Sequence, residues 1–199
     1  MDGTETTLPS LPVRIVRVFV APAELFDALR ERPVWLDAML ISIAVGLLIQ
    51  FAIPAELFRE AVMAGLPADA TPEQVEATET SLPFLRMLGW AMAVAGPFLL
   101  FALIAGLLKL LYSVLLGGAA TFKQLFSATV HAQIINAVGA LVVLPLILAN
   151  GDLRSTLSLH LLVPGIERDG WLFGFLNGLN LFGMWTMIVL GIGVSRIYP

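Results

Sequence analysis

Long apolar runs constrain this chain more than any other feature. The run from Met87 to Leu108 contains no charged side chain. About 20 mostly apolar residues suffice for a helix to cross the ~30 Å hydrocarbon core of a bilayer. Four segments meet this condition, with spans predicted at about 34–53, 87–112, 122–149 and 171–196. Charged residues form only 13% of the chain, against about 25% in soluble domains. The sequence therefore predicts an all-α integral membrane protein, a helical bundle with four transmembrane helices.

The distribution of Lys and Arg predicts the orientation, because cytoplasmic loops carry the excess of these residues. The richer side holds Arg14, Arg17, Arg30, Arg32, Lys109, Lys123 and Arg196. The poorer side holds Arg59, Arg86, Arg154 and Arg168. We therefore expect a multi-pass protein of the cell inner membrane with both termini of the chain in the cytoplasm. The acidic residues gather on the opposite, outer face.

Two segments outside the spans have helical patterns. Residues 1–33 form a predicted cytoplasmic segment, in which Leu25, Phe26 and Leu29 share one face of an amphipathic helix. Such a helix is expected to lie on the inner leaflet, with arginines near the lipid head groups. Residues 34–199 form the predicted transmembrane domain. Between its first two spans, Thr71 and Pro72 predict the start of a short, solvated connecting helix.

Polar residues inside the apolar segments form a candidate intramembrane polar cluster, which comprises Asp37, His131, Gln133, Asn136, Asn177 and Asn180. On the third helix, Gln133 and Asn136 fall on one side with Thr129, whereas Ser127 and His131 lie almost opposite. Two interpretations remain open. The groups either hydrogen-bond to one another and fix helix register, or line a polar pocket or pathway.

Helical rise gives the depth of each polar group in the bilayer. Asn136 and Asn180 fall at similar levels, so we expect a hydrogen bond between them. His131 and Thr186 also lie at similar depth, nearer the cytoplasm. Asp37 lies one turn into the first helix, and we expect it to form a structural ion pair near Lys109.

Other residues are candidates for contacts with protein. Gly174 and Gly178 form a GxxxG pair, which permits close helix approach. With Trp185 they form a candidate helix-packing face. The candidate cytoplasmic docking surface consists of Arg14, Arg17, Pro33 and Trp35.

Several chemistries find no support in the residues. The chain contains no cysteine, and its two histidines, His131 and His160, lie on opposite sides of the predicted membrane. We therefore expect no metal site and no cofactor. Ser127 and His131 are one helical turn apart, which is more typical of a helix face than of a nucleophile and its base. Without a metal site, a cofactor or a nucleophile, we predict that the protein is not an enzyme. The net charge of −4 gives no indication of nucleic-acid binding.

Three stretches carry a family resemblance. "LLGGAATFKQLFSATVHAQIINAV" (115–138) resembles the centre of the Yip domain, named for Ypt/Rab-interacting proteins, in its bacterial form. "LNLFGMWTMIVLGIGVSRI" (179–197) is similar to the fourth helix of that family, and "AELFDALRERPVW" (23–35) to the segment that opens its first helix. The resemblance implies five membrane helices and a cytoplasmic N-terminal region. The chain ends at Pro199, so the fifth helix has either been removed or is lacking in this member.

The resemblance implies a function only loosely. Eukaryotic relatives are linked to Rab GTPases, but their "DLYGP"-like motif is reduced here to Pro33, Val34 and Trp35. Some bacterial relatives are associated with efflux transporters as accessory subunits. We therefore predict a non-enzymatic scaffold or accessory subunit of a membrane complex. The expected partners are membrane lipids, a membrane protein such as a transporter complex, or a second copy of the chain. The alternatives are a small transporter or channel-like protein, and a lipid-binding or membrane-shaping protein.

Overall fold

The protein is a helical bundle. The structure, a computed structural model, describes residues 8–153, 157–159, 163, 165 and 170–198. Its helices are α1 (Leu11–Val20), α2 (Pro22–Glu31), α3 (Leu36–Ala52), α4 (Ala55–Met63), α5 (Pro72–Lys109), a π-helical turn (Leu110–Leu115), α6 (Phe122–Ala132), α7 (Ile134–Asn150), α8 (Trp171–Gly178) and α9 (Leu181–Ile197). Within these ranges the only β pairing is an isolated bridge between Ser158 and Asn180. The predicted all-α class is therefore confirmed. The predictions made for Arg154, His160 and Arg168 lie outside the described residues.

The described residues support only part of the predicted four membrane crossings. Two helices are long and apolar enough to span a bilayer, Pro72–Leu115 and Phe122–Asn150. A third candidate arises if α3 and α4, which meet at an angle of 89°, form one broken span. The helix α9 has 17 residues and is shorter than a full crossing. The structure thus supports two or three spanning helices by length and composition.

The first predicted span is bent at its end because Pro54 cannot continue α3. There the chain turns into α4, which packs along α5 and forms an ion pair between Arg59 and Glu79. The side chain of Arg86 donates a hydrogen bond of 3.0 Å to the carbonyl of Ile53, near the C-terminus of α3. This contact satisfies a carbonyl group that has no partner within the helix.

The predicted short connecting helix is in fact the first part of α5. Thr71 and Gln74 form a capping box at its start, with Pro72 in the first turn, so the predicted start is confirmed. The helix then continues through Pro83 and Pro97 without ending. With the π-helical turn it comprises 44 residues, or roughly 66 Å at 1.5 Å per residue. It is therefore about twice as long as the hydrocarbon core is thick.

The fourth predicted span is also interrupted. Asn180 leaves the helical conformation and accepts a hydrogen bond of 2.6 Å from the backbone N–H of Gly183, which caps α9. The backbone on either side pairs with residues 157–159, and the N–H of Leu181 donates to the carbonyl of Leu157 over 2.9 Å. Asparagine is among the strongest N-cap residues, so it favours a new helix start over continuation of α8.

The N-terminal segment differs from the predicted interfacial helix. It forms two helices, α1 and α2, which are separated at Ala21. Leu25, Phe26 and Leu29 do share a face, but all three are fully buried in the core of the bundle. The ring of Phe26 lies against Gly193, where an added Cβ would come within 3.1 Å of ring atoms. These side chains therefore contact protein rather than lipid.

Candidate functional site

A buried arginine defines the candidate site. In α1, Leu11, Arg14, Ile15 and Val18 recur at the i, i+3, i+4, i+7 spacing of one helix face. This face packs on the bundle and buries Val18. Arg14 lies one turn earlier on the same face, so it is buried as well and is only 3% exposed. A buried charge is strongly unfavourable unless it is paired and hydrogen-bonded.

The guanidinium of Arg14 meets this requirement with three partners. It donates two bonds to the carboxylate of Asp37 in α3, one from each terminal nitrogen. A third bond of 2.9 Å joins it to Nε2 of His131 in α6, and Nε donates to the carbonyl of Pro9 over 3.1 Å. Four of its five N–H groups are thereby used. One side chain thus ties α1 to α3 and α6.

The partners of His131 define the tautomer of its ring. A guanidinium can only donate, so Nε2 must accept from Arg14. The other ring nitrogen, Nδ1, then carries the proton and donates to the carbonyl of Ser127 over 2.8 Å. This arrangement requires a neutral imidazole. A protonated ring would place a second cation against the guanidinium.

The same face of α6 holds the connection between α2 and α3. Ser127 donates its hydroxyl proton to the carbonyl of Val34, and Gln124 donates over 2.8 Å to the carbonyl of Arg30. The ring of Phe126 meets Trp35 edge-on at 5.3 Å between centroids. The start of α3 is therefore fixed against the first turns of α6.

An open pocket lies beside this junction. Its volume is about 430 Å³, and its walls are mainly apolar. It is lined by Pro33, Val34, Trp35, Leu36, Asp37, Leu40 and Lys123. The side chain of Asp37 is 39% exposed, whereas that of its partner Arg14 is almost completely buried. The pocket therefore presents one carboxylate and one ammonium group against an apolar wall.

The geometry argues against a nucleophilic role for Ser127. Its hydroxyl is directed to the carbonyl of Val34, while the only basic nitrogen of His131 faces Arg14. Across the described ranges, no group of three or more His, Cys, Asp or Glu side chains could hold a metal ion. The charged groups that the pocket offers are the carboxylate of Asp37 and the ammonium of Lys123.

The structure brings only part of the predicted polar cluster together. Asp37 and His131 meet through Arg14, for which the sequence predicts a place in the docking surface and not in this cluster. The predicted structural ion pair of Asp37 is present, but its partner is Arg14. Lys109 donates instead to the carbonyl of Ala120 over 3.1 Å. The apolar stripe of α1, with one charge in it, was the signal that could have identified Arg14.

The predicted bond between Asn136 and Asn180 is also absent. Asn136 donates to Gln133 within its own helix segment over 2.7 Å, while the side chain of Asn180 caps α9. Asn177 accepts a bond of 3.2 Å from Ser158. Thr186 donates to the carbonyl of Phe182, one turn earlier in α9, and not to His131. Asn136, Asn180 and Thr186 thus bond within their own helix or cap, and not across helices as the sequence predicts.

The residues of the candidate helix-packing face and of the candidate docking surface lie in different surroundings. Added Cβ atoms at Gly174 and Gly178 would have no heavy atom within 4 Å from elsewhere in the described chain. The indole of Trp185 meets the ring of Phe19 edge-on at 5.3 Å, which joins α9 to α1. Arg14 is buried in its ion pair and cannot serve a docking surface. Trp35 is half-buried, between Phe98 and Phe126.

The separate roles of the two asparagines lead to a prediction. Replacing Asn180 with alanine should lower the free energy of unfolding by about 1 kcal/mol, as expected for loss of an N-cap. Because Asn136 makes its bond elsewhere, the effects of Asn136→Ala and Asn180→Ala should add within about 0.5 kcal/mol. Unfolding of both single variants and the double variant in mixed detergent micelles measures this. A coupling energy above 1 kcal/mol would instead indicate the direct bond.

Comparison with known proteins identifies the family. A sequence model described as the Yip1 domain matches residues 16–198. The chain is 31% identical to membrane protein YknW of Bacillus subtilis (strain 168) over 202 residues, which covers 98% of this chain and 81% of that protein. No solved structure matches significantly. The match begins within α1, two residues after Arg14, and includes α3 and α6, which carry Asp37 and His131. The chain is therefore a membrane protein of the Yip1 domain family.

Proposed function

We propose that this protein is a non-enzymatic scaffold or accessory subunit of a membrane complex in the cell inner membrane. In this proposal the chain crosses the bilayer four times, through α3, α5, the α6–α7 pair and the α8–α9 pair. Its N-terminus then lies in the cytoplasm. The distribution of Lys and Arg supports this orientation.

One observation carries the proposal: polar groups in the apolar segments are hydrogen-bonded inside the chain. Ser127, Thr129 and His131 are all fully buried, and each bonds to protein. A transport pathway would instead require such groups to line a hydrated route. Their pairing supports a rigid bundle that acts through its surface.

The surface of the bundle offers room for a partner. Among the 38 residues of α5, only Phe101 and Ala105 are buried. On α8, an added Cβ at Gly174 or Gly178 would meet no atom of the described residues within 4 Å, so a neighbouring helix could approach closely there. We assign the partner contact to this face of α8. The partner is a membrane protein with an apolar helix, such as a transporter subunit.

Co-purification from the native membrane tests this proposal. The protein is isolated in mild detergent, and the proteins that elute with it are identified by mass spectrometry. We expect one stoichiometric membrane partner, whose recovery falls at least fivefold when Gly174 and Gly178 are both replaced by leucine. Gly191→Leu in α9 is the matched control, since an added Cβ at that glycine also meets no atom within 4 Å in the described part of the chain.

Other results would overturn the proposal. If the protein elutes alone, or only with copies of itself, the accessory role is wrong. If the control variant loses the partner as strongly as the α8 variant does, the contact does not lie on α8.

A further inference from the structure

The pocket beside Asp37 has the features of a binding site for a lipid head group. We propose that it binds a phospholipid whose head group carries a primary ammonium, as in phosphatidylethanolamine. The phosphate is bound by Lys123, the ammonium by Asp37, and the start of an acyl chain lies along Leu36 and Leu40. This inference does not depend on the accessory role.

The acceptor capacity of Asp37 supports the ammonium site. Among the described residues, its Oδ1 accepts from Arg14 and from the backbone N–H of Ala38, while Oδ2 accepts only from Arg14. A carboxylate has about four acceptor positions, so one remains on Oδ2. Because Arg14 lies behind the carboxylate in the interior, the exposed part of Asp37 faces the pocket. A primary ammonium can donate to that position.

The second charge in the pocket suits a phosphate. Lys123 is exposed at the start of α6 and makes no ion pair with any residue in the described ranges. Lysine binds phosphate as a point charge. The pocket thus displays one negative and one positive group, and a zwitterionic head group with phosphate and ammonium complements both.

The apolar wall distinguishes a lipid from a soluble zwitterion. Leu36 and Leu40 lie one helical turn apart in α3 and are 56% and 55% exposed. Lipid-facing residues of a membrane helix have this character, so the pocket opens onto the surface along which an acyl chain would lie. The charged groups at its edge and the apolar face below them match the two parts of one phospholipid.

Lipid titration of the purified full chain tests the proposal. The protein in neutral detergent is titrated with dioleoyl phosphatidylethanolamine, phosphatidylcholine or phosphatidylglycerol, and bound lipid is counted by native mass spectrometry. We expect one site that binds the ethanolamine lipid about tenfold more tightly than either other lipid, or ~1.4 kcal/mol. Choline cannot donate a hydrogen bond to Asp37, and glycerol carries no cation. Free glycerophosphoethanolamine should not compete, because it lacks the acyl chains.

Variants separate this site from general surface charge. Lys123→Gln should weaken binding of the ethanolamine and choline lipids equally, by about tenfold, and leave their ratio unchanged. Arg32→Gln removes an exposed cation outside the pocket and should change neither affinity. Asp37 is left intact because it also holds Arg14. Three results would each overturn the proposal. They are tighter binding of phosphatidylglycerol than of phosphatidylethanolamine, equal losses of affinity in Lys123→Gln and Arg32→Gln, and competition by free glycerophosphoethanolamine.

Discussion

Replacing Arg14 with alanine should lower the free energy of unfolding by about 3 kcal/mol. The substitution leaves the carboxylate of Asp37 and Nε2 of His131 without the donor that they share. His131 is fully buried, so water cannot replace that donor without opening the bundle. The partial exposure of Asp37 places the expected loss near the lower end of the range for broken buried pairs. Unfolding of the purified protein in mixed detergent micelles measures the change.

Two variants make this result specific. Arg17→Ala removes a cation from the same helix. Arg17 lies 3.9 Å from Glu24 in a pair that is exposed to solvent, so its loss should cost less than about 1 kcal/mol. Arg14→Lys keeps the charge but loses the planar guanidinium, which contacts four acceptor atoms at once, so its stability should fall between those of the wild type and Arg14→Ala. Equal stability of the Arg14→Ala and Arg17→Ala variants would contradict the buried ion pair.

The ion pair also indicates how the N-terminal helices belong to the bundle. The buried face of α2 would dock without any charge, because Leu25, Phe26 and Leu29 already fill the core. The helix α1 is different, since its one buried polar group must find both a carboxylate and a ring nitrogen. Buried polar groups of this kind can fix one arrangement among several apolar alternatives. Arg14 thus specifies where α1 lies, while the apolar residues supply most of the driving force.

The sequence predicted best those features that depend on local chemistry. The start of α5 at Thr71–Pro72 follows from capping and dipole preferences within one turn. The long apolar runs likewise predicted a membrane protein, because hydropathy needs no knowledge of neighbours. Both inferences required only residues adjacent in the chain.

The sequence predicted contacts between helices poorly, for a physical reason. Depth along a helix axis placed Asn136 level with Asn180, but a hydrogen bond also needs the right rotation and an unbroken helix. Asn180 instead begins a helix, because its side chain caps the backbone N–H of Gly183. Arg14 and His131 are separated by 117 residues, and no local pattern links them. Such pairs follow from the packing of whole helices.

The contact between Gly139 and Phe182 is another contact between helices that the sequence does not predict, and it leads to a second large expected loss of stability. Alanine at Gly139 in α7 should lower the free energy of unfolding by about 2–3 kcal/mol. The added Cβ would overlap the ring of Phe182 in α9, and would come within 2.7 Å of the Cβ of Phe182. Side-chain rotation cannot move a Cβ, which is attached to the backbone, so α7 and α9 must separate. The same micelle unfolding experiment measures the loss.

Gly174→Ala is the matched control, because Gly174 also lies within a helix but has no neighbour within 4 Å in the described chain. Alanine there should be neutral, or stabilise the protein by roughly 0.5–1 kcal/mol through helix propensity. Combining Gly139→Ala with Phe182→Ala removes the overlapping ring atoms, so the double variant should be more stable than the sum of the single effects indicates. A neutral Gly139→Ala together with a destabilising Gly174→Ala would reverse the assignment. The GxxxG pair would then pack within the chain, and α8 could not offer the open face on which the proposed partner contact depends.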